Sequence, residues 1–139
     1  MPLSDILKGK VVSCKLDHTI KDAADHMKAE DVGAMLVVDE AGKPVGICTD
    51  RDIVLRCVCD GVSLDDKVSD IMTRTLATVK QSAGIQDVIR LMRDREIRRV
   101  PVVDESGKAV GLISFGDIVG LLAKELSDIS TATPVDVAA

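Results

Sequence analysis

The chain has 139 residues, enough for one globular unit with a sizeable core and too few for two large independent domains. Its apolar fraction of 46% is broken into runs of a few residues, far short of a membrane span. A net charge of −5 and a single aromatic residue, Phe115, count against a general polyanion binder and against the stacking platforms of single-stranded nucleic-acid proteins.

The first residues, Met1-Pro2-Leu3-Ser4-Asp5, lack the basic start and apolar stretch of a secretory signal, so the cytoplasm is the expected location. A short strand is predicted over Val11 to Cys14. Ile20, Ala23, Ala24 and Met27 then fall at helical spacing and mark an amphipathic helix with one buried stripe. Two β-branched runs follow, Met35 to Val38 and Val45 to Cys48, joined by a polar turn at Gly42, which reads as an antiparallel hairpin. A second helix is expected next, with Ile53, Val54, Cys57 and Val58 on one face.

After the polar joint 61–67 the same order returns. A shift of 65 positions carries Val37-Val38-Asp39-Glu40 onto Val102-Val103-Asp104-Glu105, Ser4-Asp5-Ile6-Leu7 onto Ser69-Asp70-Ile71-Met72, and Asp52-Ile53-Val54 onto Asp117-Ile118-Val119, without a gap. The second copy therefore predicts a strand over Leu76 to Val79 and a helix with Ile85, Val88, Ile89 and Met92 inward. It continues with a hairpin of Val100 to Val103 and Val110 to Ile113 about Gly107, and a closing helix with Ile118, Val119, Leu122 and Ala123 on one face. The expected fold is α/β, with two β-α-β-β-α repeats related by an approximate two-fold axis. Boundaries are expected at 1–60 for repeat 1, 61–67 for the linker, 68–126 for repeat 2 and 127–139 for a poorly ordered tail of small residues. Each repeat, at about 60 residues, is marginal alone. Packing the two sheet to sheet buries faces neither can bury by itself and leaves two related clefts between them.

Cys14, Cys48, Cys57 and Cys59 sit in or beside apolar segments and read as small buried hydrophobes rather than a disulfide framework. Cys57 and Cys59 are two apart on a predicted helix and point to nearly opposite sides, and neither His18 nor His26 stands at ligand spacing, so no metal site is expected. No nucleophile elbow, phosphate-loop lysine or zinc-protease motif is present, and no catalysis or catalytic cofactor is expected.

Each hairpin ends in Gly-x-x-Thr/Ser-x-x-Asp: Gly46, Thr49 and Asp52, then Gly111, Ser114 and Asp117. Glycine permits close approach of a backbone, the hydroxyl stands where free helix amides attract phosphate, and the carboxylate offers two acceptors for ribose hydroxyls. The same spacing also serves a helix N-terminus, with Thr49 and Ser114 as caps and Asp52 and Asp117 as first-turn acids.

Occurring twice in a duplicated frame, with the Val-Val-Asp-Glu hairpin and the Val68-Ser69-Asp70-Ile71-Met72 opening, the motif resembles the CBS (cystathionine β-synthase) domain, and the pair resembles a Bateman module. The resemblance implies a regulatory module that binds AMP, ADP, ATP or S-adenosylmethionine in its clefts, pairs into a disc-like homodimer and acts through a separate regulated protein. It implies Asp52 and Asp117 at ribose, Thr49 and Ser114 near phosphate, and Arg98 and Arg99, just ahead of Val100-Pro101-Val102, reaching phosphate. Pro101 and Arg51 complete the candidate ligand residues. Repeat 1 has Gly33 and Ala34 where repeat 2 has Arg98 and Arg99, so unequal clefts are expected, the second better equipped for a phosphorylated ligand. Phe115 either lies against an adenine or fills space. Two rival functions stand beside this one: a ligand-independent dimerisation or interaction module, and nucleic-acid binding through the arginine-rich face, which the acidic balance disfavours.

Overall fold

The computed structural model describes residues 3–7, 11–74 and 77–132. Repeat 1 contains β1 (Ser13–Lys15), α1 (Ile20–Glu30), β2 (Ala34–Val38), β3 (Pro44–Thr49) and α2 (Asp50–Ile53), the last continued by a π-helical segment, Val54–Cys59. Repeat 2 contains β5 (Val79–Lys80), α3 (Ile85–Arg95), β6 (Arg99–Val103), β7 (Ala109–Ser114) and α4 (Phe115–Ala132). Between them lies a two-residue strand, β4 (Thr73–Arg74).

Both hairpins form where the sequence placed them. β2 pairs antiparallel with β3 and β6 with β7, each with a register shift at the second valine of its Val-Val pair, Val37/Val38 and Val102/Val103. β1 and β5 run parallel to β2 and β6, the geometry a helical crossover requires. Both opening strands begin later than predicted, at Ser13 and Val79, and Leu76 lies outside the described residues. The first helix of each repeat buries the expected stripe: Ile20, Ala23 and Met27 on α1, Val88 and Met92 on α3. α1 opens on a capping box between Thr19 and Asp22, and α1 and α3 end on left-handed Asp31 and Glu96 whose N–H groups close the last turn.

The openings of the repeats are exchanged in space. Leu3, Ile6 and Leu7 pack into the repeat 2 core around Val88, Val100 and Ile113, while Val68, Ile71 and Met72 pack into the repeat 1 core around Ile20, Met35 and Cys48. β4 accordingly joins the sheet of repeat 1, in the order β1-β2-β3-β4. This reciprocal exchange, with β2 against β7, ties two marginal units into one core. The hairpin turns meet as well: Ala109 N–H donates to the Gly42 carbonyl at 2.9 Å. The joint is pinned by the N–H groups of Ile20 and Lys21 donating to the Asp66 and Leu64 carbonyls, both at 2.9 Å.

Two expectations are corrected. The closing helices do not bury the stripes assigned to them: Ile118 is buried, but Val54, Val58, Val119 and Leu122 are exposed. The apolar pattern in these helices serves two faces, one turned to the sheet and one turned outward, and periodicity alone merged them. The predicted tail also begins too early, because α4 runs past Ser127 to Ala132. Lys124 pairs with Asp128 at 2.9 Å, and the Ser130 and Thr131 hydroxyls donate to the Ser127 carbonyl, so the small polar residues there are accommodated in helix. The last seven residues of the predicted tail lie outside the described residues.

Candidate functional site

In both repeats the strand-to-helix corner is built alike. The Asp52 N–H donates to the Thr49 hydroxyl at 3.1 Å and the Thr49 N–H to the Asp52 carboxylate at 2.9 Å. The Asp117 N–H donates to the Ser114 hydroxyl at 3.1 Å and the Ser114 N–H to the Asp117 carboxylate at 2.8 Å. These are reciprocal capping boxes, so the capping role read from the sequence is real. It leaves each carboxylate a second oxygen and further lone pairs for another partner.

The glycines of the motif serve packing across the repeat boundary. A Cβ on Gly111 would stand 2.5 Å from Leu7 Cδ2, and one on Gly46 would collide with the Met72 side chain. Leu7 and Met72 are themselves equivalent under the repeat. The exchanged openings therefore require glycine at these two places, a role unlike the close approach of a ligand expected from the motif.

Beside the second corner the structure opens a cleft of about 620 Å³. Gly116, Asp117, Gly120, Leu121 and Lys124 line it along one face of α4, Val110 to Ile113 along β7, and Ile6, Leu7, Val12, Val32 and Ala34 from repeat 1. Its walls are largely apolar, with the Asp117 carboxylate and the Lys124 ammonium as its charged groups. The ion pair with Asp128 raises the Lys124 pKa and keeps it cationic. Sequence reasoning missed Lys124. It follows Asp117 by two helical turns, a spacing that places both on one face, and that signal was available.

The remaining candidates are dispersed. Arg98 does not line this cleft: its guanidinium lies 5.1 Å from the centroid of the Phe115 ring, in cation–π geometry, and lines a separate groove between α3 and α4. Phe115 is 48% exposed, and so is not a core filler in this chain. Arg99 is exposed at the start of β6 and paired in register with Ser114. Pro101 is fully buried in the middle of β6. In repeat 1, Thr49 and Asp52 are half-buried in their box, with Arg51 exposed beside them. Asp50 occupies the position of Phe115, and a Cβ on Gly33 would stand 3.0 Å from its carboxylate. The pair Gly33 and Asp50 thus replaces Arg98 and Phe115, and the corners differ in charge as well as shape.

The cysteines are free thiols. Burial pushes the Cys14 thiol up to about 11 and the Cys48 thiol up to about 12, with the Asp22 and Asp52 carboxylates adding to the respective shifts. Neither is a nucleophile at neutral pH. Among the described residues, no group of three or more His, Cys, Asp or Glu is placed to hold a metal, and no helix is long and apolar enough to cross a membrane.

Comparison with known proteins gives this frame its relatives. The CBS domain profile matches residues 3–58 and again 68–124. An uncharacterised protein of Methanopyrus kandleri is 30% identical over 118 residues, 84% of this chain and 60% of that protein, so the chain spans less than two thirds of that relative's length. Among solved structures, the CBS domain protein PAE2072 from Pyrobaculum aerophilum, complexed with AMP, superposes with a TM-score of 0.75 at 29% identity, covering 84% of this chain and 89% of that one. The CBS domain pair of protein MJ0100, in complex with 5′-methylthioadenosine and S-adenosyl-L-methionine, superposes with a TM-score of 0.76 at 28% identity, covering 90% and 98%. Two matches to one profile, on a fold shared with solved CBS pairs, place this chain in the CBS domain family as a tandem pair.

Proposed function

We propose that this chain is a sensor of an adenosine-containing ligand, held in the cleft of repeat 2, that catalyses nothing and acts by changing how it pairs with a second copy and with a regulated protein. The observation that carries this reading is the cleft itself. Apolar walls from both repeats suit a base, the Asp117 carboxylate beside the helix start suits ribose hydroxyls, and Lys124 supplies a cation for an anionic end. The AMP complex of PAE2072 and the adenosyl complex of MJ0100 support the ligand class. Because walls from both repeats meet in the cleft, a ligand there bears on their packing, which is the physical basis of a sensor.

The test is thermal unfolding with AMP, ADP, ATP, S-adenosylmethionine and 5′-methylthioadenosine in turn. A ligand present at a hundred times its dissociation constant adds about 2.7 kcal/mol and shifts the transition by several degrees. At least one member of the panel is expected to do so for the wild type and to fail with Asp117→Ala. No shift with any of them refutes the proposal and leaves the ligand-independent pairing module.

A further inference from the structure

We infer that the Asp52 corner of repeat 1, with Arg51, Arg56 and Arg99 about it, is a second binding site, and that it takes a polyphosphate chain without a base. It is separate from the adenosine cleft of repeat 2, and neither depends on the other.

The site follows from the way the two sheets face each other. Successive residues of a strand point to opposite faces. Met35 and Val37 of β2 belong to the core of repeat 1, so Ala34 and Leu36 turn toward repeat 2; Val100 and Val102 of β6 belong to the core of repeat 2, so Arg99 and Pro101 turn toward repeat 1. Leu36 and Pro101 are fully buried at this seam. The corners are therefore served crosswise. Ala34 of repeat 1 lines the cleft of Asp117 in repeat 2, and Arg99, its equivalent 65 positions on, belongs with Asp52 in repeat 1.

Two further exchanges change the chemistry in the same sense. Gly116 and Leu121 line the Asp117 cleft, and their equivalents are Arg51, beside Asp52, and Arg56, one helical turn beyond it. Ala34 and Leu121, two of the apolar walls that suit a base, thus give way to guanidinium groups. Arg51 and Arg99 are exposed and form no ion pair among the described residues. Arg56 meets Asp60 at 3.4 Å, an exposed contact of little energetic consequence that leaves its charge available. The Asp52 corner therefore has three arginines against two carboxylates, Asp52 and Asp60, where the Asp117 cleft has one lysine against two, Asp117 and Asp128. One corner draws anions in and the other limits them. Each guanidinium is a planar fork matched to two phosphate oxygens, and three forks engage more oxygens than one phosphate group presents, so a chain of phosphates fits them. Arg56 also rides on the π-helical segment, a departure from α geometry that recurs at functional sites and that α4 lacks at the equivalent place.

Calorimetric titration of the full chain with sodium triphosphate, at about 50 and about 200 mM salt, tests the site. Wild type is expected to bind one triphosphate per chain, more weakly at the higher salt. Arg99→Ala and Arg56→Ala are each expected to weaken it by about tenfold or more, the loss of a charge-assisted hydrogen bond. Arg93→Ala, which removes an exposed arginine from the outer face of α3, and Asp117→Ala are expected to leave it unchanged. ATP is expected to bind Asp117→Ala no more tightly than triphosphate does. All the substituted residues are exposed, and circular dichroism checks that each variant folds. No binding of triphosphate to wild type at millimolar concentration, or an equal loss with Arg93→Ala or Asp117→Ala, overturns the site. ATP binding Asp117→Ala far more tightly than triphosphate overturns its base-free character. Neither result bears on the adenosine cleft, which is read by the unfolding shifts that Asp117→Ala removes.

Discussion

At Gly46 and Gly111 a single hydrogen in place of a methyl decides how the repeats interlock. A Cβ at Gly46 meets the Met72 side chain and stands 3.1 Å from the Thr73 carbonyl oxygen, which belongs to the backbone of β4 and cannot swing aside. Gly46→Ala is therefore expected to destabilise the fold by about 1–3 kcal/mol, the usual range for overpacking. A urea midpoint unchanged from wild type would contradict the interlock. The hydroxyls of the motif make a smaller contribution. Ser114→Ala removes the acceptor for the Asp117 N–H and is expected to cost about 1 kcal/mol in the absence of any ligand, measured by the same unfolding. No loss without ligand would mean that the hydroxyl serves ligand alone. The thiols respond to pH. The folded values of about 11 and about 12 for Cys14 and Cys48 lie above the ordinary 9.0, so their contribution to stability is fully present below 9.0 and is lost as pH climbs toward 12. At pH 8 iodoacetamide is expected to modify exposed Cys59 first and to spare Cys14 and Cys48 until unfolding, as peptide mass mapping reads directly.

Among the elements, α4 lines two separate cavities with two different faces. Gly116, Asp117, Gly120, Leu121 and Lys124 turn to the cleft, and Phe115, Val119 and Leu122 turn to the outer groove. Part of this was legible in sequence. The gapless repeat fixed the order of strands and helices, both hairpins and the inward stripes of α1 and α3, because those features depend on local periodicity and turn chemistry. The corner motif was legible as a cap in both repeats, and Asp117 of the second lines a cleft. What was illegible depends on contacts distant in sequence. Nothing local says that Leu7 belongs to the core of repeat 2 or Met72 to that of repeat 1. Nor does the sequence say that Arg98 stacks on Phe115 away from the cleft, because adjacency in the chain before β6 does not fix the direction of a side chain. The outward stripe Phe115, Val119, Leu122, Leu126 and Ile129 advances by alternating steps of four and three, the period of a helical seam. It was merged with the core stripe because both have helical spacing.

For the whole molecule, the proposed function makes the cleft face of α4 and the pairing of copies interdependent. Under that proposal, an occupied cleft that displaces α4 alters how copies pair, and by linkage the effect is reciprocal. Ligand affinity is accordingly expected to depend on protein concentration, differing between solutions well below and well above the dimer dissociation constant. Equal affinity in both would show the two sites to be uncoupled. The asymmetry between repeats is the other property of the whole. Repeat 2 has a described cleft with Asp117 and Lys124, whereas the corner of repeat 1 places Asp50 where repeat 2 has Phe115 and Cys59 where it has Lys124. Under the proposed function, repeat 2 alone holds the ligand. The deciding measurement is calorimetric titration of wild type, Asp117→Ala and Asp52→Ala with the panel member that shifts unfolding. One ligand per chain, abolished by Asp117→Ala and retained by Asp52→Ala, is the predicted result; two equivalent sites per chain, or loss with Asp52→Ala instead, would contradict it.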